Sequence, residues 1–248
     1  MSQKPRIAFF DFTSCEGCQL QVINCETEIP ELIGMVDIVN FREAMSERSD
    51  NYDIAFIEGS ITTDAEVDTI KKIRQNAKII VALGACACIG GVNCLKNHYT
   101  IDQVKKMVYG KDAGLYSTIP TRPIDQVIPV DYYIRGCPIS KAEFLKVTKA
   151  LLLGKKPEIP NVPVCAECKL AENVCVFEKG KFCLGPVTLA GCNAICPSNN
   201  DGCEGCRGFM NQSNINSEKD ILKKYGLSVD DMTARFNMYN NCMGEGVK

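Results

Sequence analysis

Residues 78–91 read KIIVALGACACIGG: an uninterrupted apolar run, Lys78–Leu83, ending in glycine and followed by Cys86 and Cys88. A short apolar run of β-formers bounded by glycine predicts a strand buried on both faces. The same grammar recurs outward from it. Arg6–Phe12 (RIAFFDF) precedes Cys15 and Cys18, and Tyr132–Arg135 precedes Gly136-Cys137-Pro138. Val36–Phe41 and Tyr52–Ile57 are further strand candidates. Between strands lie helix signals. Thr63-x-x-Glu66 is a capping box ahead of Val67, Ile70 and Ile73, and Ser140-x-x-Glu143 heads a second helix with Phe144, Val147 and Leu151 on one face, stopping at Gly154. A further helix is expected over Gln19–Ile29. Strands apolar on both faces, separated by helices, predict an α/β fold: a flavodoxin-like doubly wound parallel sheet over residues 1–154.

Residues 155–248 differ in character. The segment 157–213 carries eight cysteines among glycines, prolines and asparagines, with little periodicity. It is predicted as an irregular, metal-ordered C-terminal domain, because it offers too little apolar side chain to offset its chain entropy. One final helix is expected after Ser228, with Met232, Phe236 and Tyr239 along one face.

The whole chain of 248 residues is 46% hydrophobic and 23% charged, the balance of a globular protein. Its net charge of -2, with no Lys/Arg run, argues against nucleic acid as a partner. No stretch approaches the ~18 apolar residues of a membrane helix. Met1–Pro5 has no leader character, so a cytoplasmic protein without direct membrane insertion is expected. Sixteen cysteines against a single histidine, His98, imply metal sites ligated almost wholly by sulphur, which selects zinc or iron-sulphur clusters.

Two groups of cysteines follow. Cys15, Cys18, Cys137 and either Cys86 or Cys88 fall after predicted strands, so the topology delivers four thiols to one sheet edge. The second group runs Cys165-x2-Cys168-x6-Cys175-x7-Cys183-x8-Cys192-x3-Cys196-Pro197-x5-Cys203-x2-Cys206. Eight thiols make two four-sulphur sites. Two structural zinc ions satisfy the same count, but Cys-Pro pairs at 137–138 and 196–197 match the close of the bacterial ferredoxin motif. Cys25, Cys94 and Cys242 are read as bystander thiols, as is whichever of Cys86 and Cys88 is not a ligand.

The motifs SCEGCQ (14–19), IEGSI (57–61), GACACIGG (84–91), GCP (136–138), CLGPVTLAGCNAICP (183–197) and CEGCRG (203–208) occur in order along the chain. Together they resemble nickel-iron hydrogenase small subunits, above all the cytoplasmic, multi-subunit branch of archaeal sulfhydrogenases and methanogen hydrogenases. The resemblance implies three 4Fe-4S clusters. A proximal cluster falls on Cys15, Cys18, Cys86 and Cys137, which selects Cys86 over Cys88. A medial cluster falls on Cys192, Cys196, Cys203 and Cys206, and a distal one on Cys165, Cys168, Cys175 and Cys183. Cys196 stands where many periplasmic relatives carry proline and a 3Fe-4S centre, and Cys165 where the periplasmic type uses histidine. The resemblance further implies no nickel on this chain, a large-subunit partner that activates hydrogen, and a further flavin or iron-sulphur subunit. Glu16 and Glu58, inside proximal motifs, are open between proton-path, backbone-positioning and solvated roles. Two alternatives remain: a complex I-like electron-transfer subunit without hydrogenase activity, and a zinc-stabilised interaction protein.

Overall fold

The computed structural model describes residues 4–28 and 34–243. Five parallel strands, β1 (Arg6–Asp11), β2 (Asp37–Phe41), β3 (Ile54–Glu58), β4 (Ile79–Leu83) and β5 (Tyr132–Ile134), form one sheet in the order β2-β1-β3-β4-β5. This is the flavodoxin-like order, with the chain reversing direction of travel across the sheet at β1/β3. Pairing registers set Ile7 beside Ile54, Ile54 beside Ile79, and Val81 beside Tyr132.

Alternation along each strand sorts the apolar residues into two cores. Ile7, Phe9, Ile54, Phe56, Val81 and Leu83 face one side, and Ala8, Ala55, Ile57, Ile80 and Ala82 the other. The first core is closed by Phe144, Val147 and Leu151 of α5 (Lys141–Leu152), with Phe9 stacked on Phe41 and Phe56 at ring separations of 4.4 and 4.9 Å. Ile70 and Ile73 of α2 (Asp64–Asn76), and Ala85 and Ile89 of α3 (Gly84–Ile89), cover the second. Thr63 and Glu66 form the expected capping box. Ser140 caps α5 from its side chain at 3.5 Å, but Glu143 does not reach back, because Arg207 holds it.

α1 (Gly17–Ile23) ends well before the expected Ile29, which lies outside the described residues. α4 (Ile101–Tyr109), capped reciprocally by Thr100 and Gln103, is an element the periodicity did not single out. The C-terminal region departs further from expectation. It contains α6 (Val164–Leu170), α7 (Ile195–Ser198), α8 (Ile215–Lys224) and α9 (Val229–Asn240), only the last of which was expected. It also has an apolar core of its own. Val164, Val176, Phe177, Leu184 and Val187 pack with Leu222 of α8 and with Met232 and Phe236 of α9. The expectation of too little apolar surface counted 157–213 alone, whereas the lid over that segment is supplied by residues after 213. None of the described helices is long and apolar enough to cross a membrane.

Candidate functional site

The carboxyl ends of β1, β4 and β5 converge as the spacing predicted. Cys15 precedes α1, Cys18 lies in its first turn, Cys86 lies in the first turn of α3, and Cys137 follows β5. All four line one cavity of about 100 Å³. Gly84 shows how closely the loops approach. Its φ is +85°, and a Cβ there would lie 2.3 Å from the Cys18 sulphur. A side chain at this position is thus excluded by backbone conformation and by space. The Ala85 N–H donates to the Gly136 carbonyl at 2.7 Å, tying the β4 and β5 loops together.

Cys88 is turned away. Its thiol is fully buried, donates to the Ala82 and Ile134 carbonyls at 3.5 and 3.6 Å, and belongs to the core beneath the sheet. Burial pushes it up to about 12. Cys25 is also buried and donates to the Gln21 carbonyl. Cys94 and Cys242 are joined in a disulfide, so the expectation of free bystander thiols fails for that pair. Distance in sequence, 148 residues, hid the partnership. His98 is exposed at the end of the 3₁₀ segment Gly91–His98.

Glu58 has a positioning role. It is 2% exposed, and its carboxylate accepts from the backbone N–H of Cys18 at 3.0 Å and of Gln19 at 2.9 Å. α1 begins with Glu16 in a left-handed conformation and has no side-chain cap of its own, so Glu58 reaches across from β3 to satisfy those N–H groups. Burial holds its carboxyl above the usual range, against the pull of these hydrogen bonds. Glu16 instead pairs with Arg42, which also meets Asp11 at 3.0 Å.

The cysteines of the second array fall into two further sets. Cys192, Cys196, Cys203 and Cys206 all line a cavity of about 440 Å³, whose wall also includes Gly136, Cys137 and Pro138. The two cavities therefore share the Cys137 loop. Cys137 bears on the Cys206 thiol, and the Tyr239 hydroxyl on that of Cys137. Cys165 and Cys168 are three residues apart on α6, and so share a helix face. Cys183, Cys168 and Cys175 lie near enough to Cys165 for their charges, with that of Glu218, to add to the burial that raises its thiol. A Cβ at Gly185 would lie 3.2 Å from the Cys183 sulphur and 3.4 Å from that of Cys165, which places the two sulphurs around one glycine. The Cys203 N–H donates to the Cys183 sulphur at 3.3 Å, linking this set to its neighbour. Cys175 is exposed.

Burial, reinforced by neighbouring thiols, pushes Cys86, Cys165 and Cys206 up to about 12 and Cys18 higher still. These four thiols hold their protons until a cation replaces them. Among the described residues, no three His, Cys, Asp or Glu side chains are gathered as they would be around a single metal ion. Four thiols lining one cavity fit an iron-sulphur centre in donor chemistry and number.

Sequence reasoning missed several charged residues near these sets. Arg207 is 1% exposed and forms a bidentate pair with Glu143, both contacts 2.7 Å. Glu167 of α6 accepts from the N–H groups of Gly191 and Ala194 at 2.9 and 3.2 Å, holding the loop that bears Cys192. Glu218 of α8 is 1% exposed, neither of its oxygens has a hydrogen-bond partner, and burial pushes it up to about 7. Arg207 and Glu167 lay inside cysteine motifs, which is a local signal. Their partners, 64 and 24 or more residues away, are visible only in three dimensions.

Comparison with known proteins adds the following. A family model described as "NADH ubiquinone oxidoreductase, 20 Kd subunit" matches residues 15–151. Sulfhydrogenase 2 subunit delta of Pyrococcus furiosus is 33% identical over 221 residues, covering 88% of this chain and 92% of that protein. Among solved structures, an NAD+-reducing [NiFe]-hydrogenase in its H2-reduced state has a chain 27% identical to this one. Its TM-score is 0.58, covering 64% of this chain and 96% of that one. A Ni-Fe-Se hydrogenase from Desulfomicrobium baculatum shares the fold over 88% of this chain and 98% of its own, at 16% identity and a TM-score of 0.54.

Proposed function

We propose that this chain, which belongs to the family of nickel-iron hydrogenase small subunits, is the electron-transfer subunit of a hydrogenase complex and holds three 4Fe-4S clusters. The observation that carries the reading is that Cys15, Cys18, Cys86 and Cys137 line one cavity and Cys192, Cys196, Cys203 and Cys206 a second that shares the Cys137 loop. Cys15, Cys18, Cys86 and Cys137 would hold the proximal cluster. Cys192, Cys196, Cys203 and Cys206 would hold the medial one, and Cys165, Cys168, Cys175 and Cys183 the distal one. Such clusters, when bound, supply one-electron carriers whose potentials depend on charge, hydrogen bonds and exposure.

The chain's own groups then have defined tasks. Twelve thiols give up protons and become ligands, and Glu58 fixes the helix that carries Cys18. The Cys137 loop, shared by the first two cavities, and the Cys203 N–H, which reaches the Cys183 sulphur, would join the three sets into one series. Hydrogen is activated in the large-subunit partner, which would face the proximal set. Exposed Cys175 marks the opposite end, where a flavin or iron-sulphur subunit would exchange electrons. The domain division near residue 154 and a cytoplasmic location belong to the same proposal.

The description of the matching family model favours one second reading, a complex I-like subunit without hydrogenase activity. That match ends at residue 151, before the eight-cysteine array, whereas likeness to the sulfhydrogenase subunit covers 88% of the chain. Anaerobic purification of the native complex decides between them. Copurification with a nickel-containing subunit and hydrogen-dependent reduction of a viologen dye support the first reading. A nickel-free complex that reduces quinone instead overturns it.

A further inference from the structure

The buried ion pair Arg207–Glu143 has a directional arrangement that its structural role does not require. Arg207 is the largest fully buried side chain among the described residues. Its Nε donates to the Leu189 and Ala190 carbonyls at 3.0 Å, and Nη1 to the Arg135 carbonyl at 2.5 Å. Nη1 and Nη2 each meet one oxygen of Glu143 at 2.7 Å. Arg207 follows Cys206 directly and lines the 440 Å³ cavity. Glu143 lies behind it on α5 and opens onto a separate pocket with Ser140, Lys146 and Glu167. The positive end of the pair therefore faces the four thiols and the negative end faces away.

Other charges near the cavity are placed differently. Glu204 lines it but is paired with Arg235 at 3.0 Å on a partly exposed surface. Glu167 is engaged by two backbone N–H groups and also accepts from the Cys192 thiol at 4.0 Å, so its negative charge, already shared among these donors, opposes that of Arg207. The amino group of Lys141 donates to the Asn24 carbonyl in an exposed contact. Arg207 is the one buried cation on the wall among the described residues, and it has no freedom to withdraw. At Gly191 a Cβ would lie 2.1 Å from Nη2, so the loop bearing Cys192 is closed onto the guanidinium.

We propose that Arg207, oriented by Glu143, is a positioning residue that raises the reduction potential of the centre bound by Cys192, Cys196, Cys203 and Cys206. This inference rests on the reading that an iron-sulphur cluster occupies that cavity. A fixed cation in a poorly solvated site stabilises whichever state of the centre carries the extra electron. Because the pair joins α5 to the CEGCRG loop, the same contact that closes the C-terminal region onto the sheet sets this potential. A buried pair kept only for stability gains little over a well-packed apolar substitute.

The test is an electron paramagnetic resonance redox titration of the anaerobically purified complex carrying single substitutions. Arg207→Gln is expected to move one cluster's midpoint to lower potential, and Glu143→Gln to move the same midpoint to higher potential, with Arg207→Lys close to wild type. Opposite shifts from the two ends of one pair are not what loosened packing produces. If Arg207→Gln does not fold, Glu143→Leu/Arg207→Met, which leaves no buried charge unpaired, is expected to show the downward shift. All three clusters present with unmoved midpoints, or shifts of the same sign from both ends, would overturn the proposal. Iron and sulphide for fewer than three clusters in the wild-type complex would instead overturn the reading on which it rests.

Discussion

Cys86 and Cys88 sit two residues apart in the same short helix, yet they have opposite surroundings. Cys86 opens on the cavity, while Cys88 is packed under the sheet against two carbonyls. Local spacing left the choice open, because a single turn of helix decides which face each thiol takes. Cys86→Ala is expected to remove one cluster's worth of iron and to stop hydrogen-dependent reduction of external acceptors. Cys88→Ala should keep the iron and lose about 1–3 kcal/mol of stability by emptying a small buried volume. Iron lost from the Cys88 variant and retained in the Cys86 variant would reverse the assignment. Glu58 teaches a related lesson. Its motif singled it out, but only the structure shows its carboxylate closing the start of α1 from another strand.

The elements of the sheet were legible because each strand is a short run rich in apolar β-formers, and β1, β3, β4 and β5 lead into turns bearing glycine or cysteine. Their bounds shifted by only one or two residues. The capping box at Thr63 was legible for the same reason, since both partners are three residues apart. At Ser140 an identical signature formed only by half, because a buried guanidinium outcompetes a backbone N–H for Glu143. α6 and α8 were hidden for different reasons. α6 is short, and its sequence VCAECKL has no clear apolar stripe. α8 buries a glutamate beside Leu222, which breaks the pattern of its inner face. The core these helices share is the element-scale claim most open to measurement. Phe236 is fully buried against Phe209, with ring centroids 5.9 Å apart. Phe236→Ala should cost about 3–5 kcal/mol in chemical denaturation. A loss near zero would mean that metal alone orders this region.

At the scale of the whole molecule, burial disfavours ionisation at nine of these thiols, Cys18, Cys86, Cys137, Cys165, Cys183, Cys192, Cys196, Cys203 and Cys206. Cys86, Cys165 and Cys206, raised from 9.0 to about 12, give a signed prediction. The folded metal-free chain keeps protons that the unfolded chain releases, so their contribution to its stability is full below about pH 9 and is lost as pH rises from there towards 12. Iron loading has the opposite dependence, because it displaces those protons and so strengthens as pH rises. Anaerobic reconstitution in weak buffer should therefore acidify the solution as clusters assemble, and an unchanged pH would contradict the thiol environments described. Spacing alone offers two sets of four in the array without placing them in space. Residues far apart in sequence do that, with Cys137 on the wall of the cavity lined by Cys206 and the Cys203 N–H on the Cys183 sulphur. The most direct measurement is iron and acid-labile sulphide per chain in anaerobically isolated protein. The account predicts about twelve of each, in three sets of four. Two or three zinc ions per chain with no sulphide would contradict it.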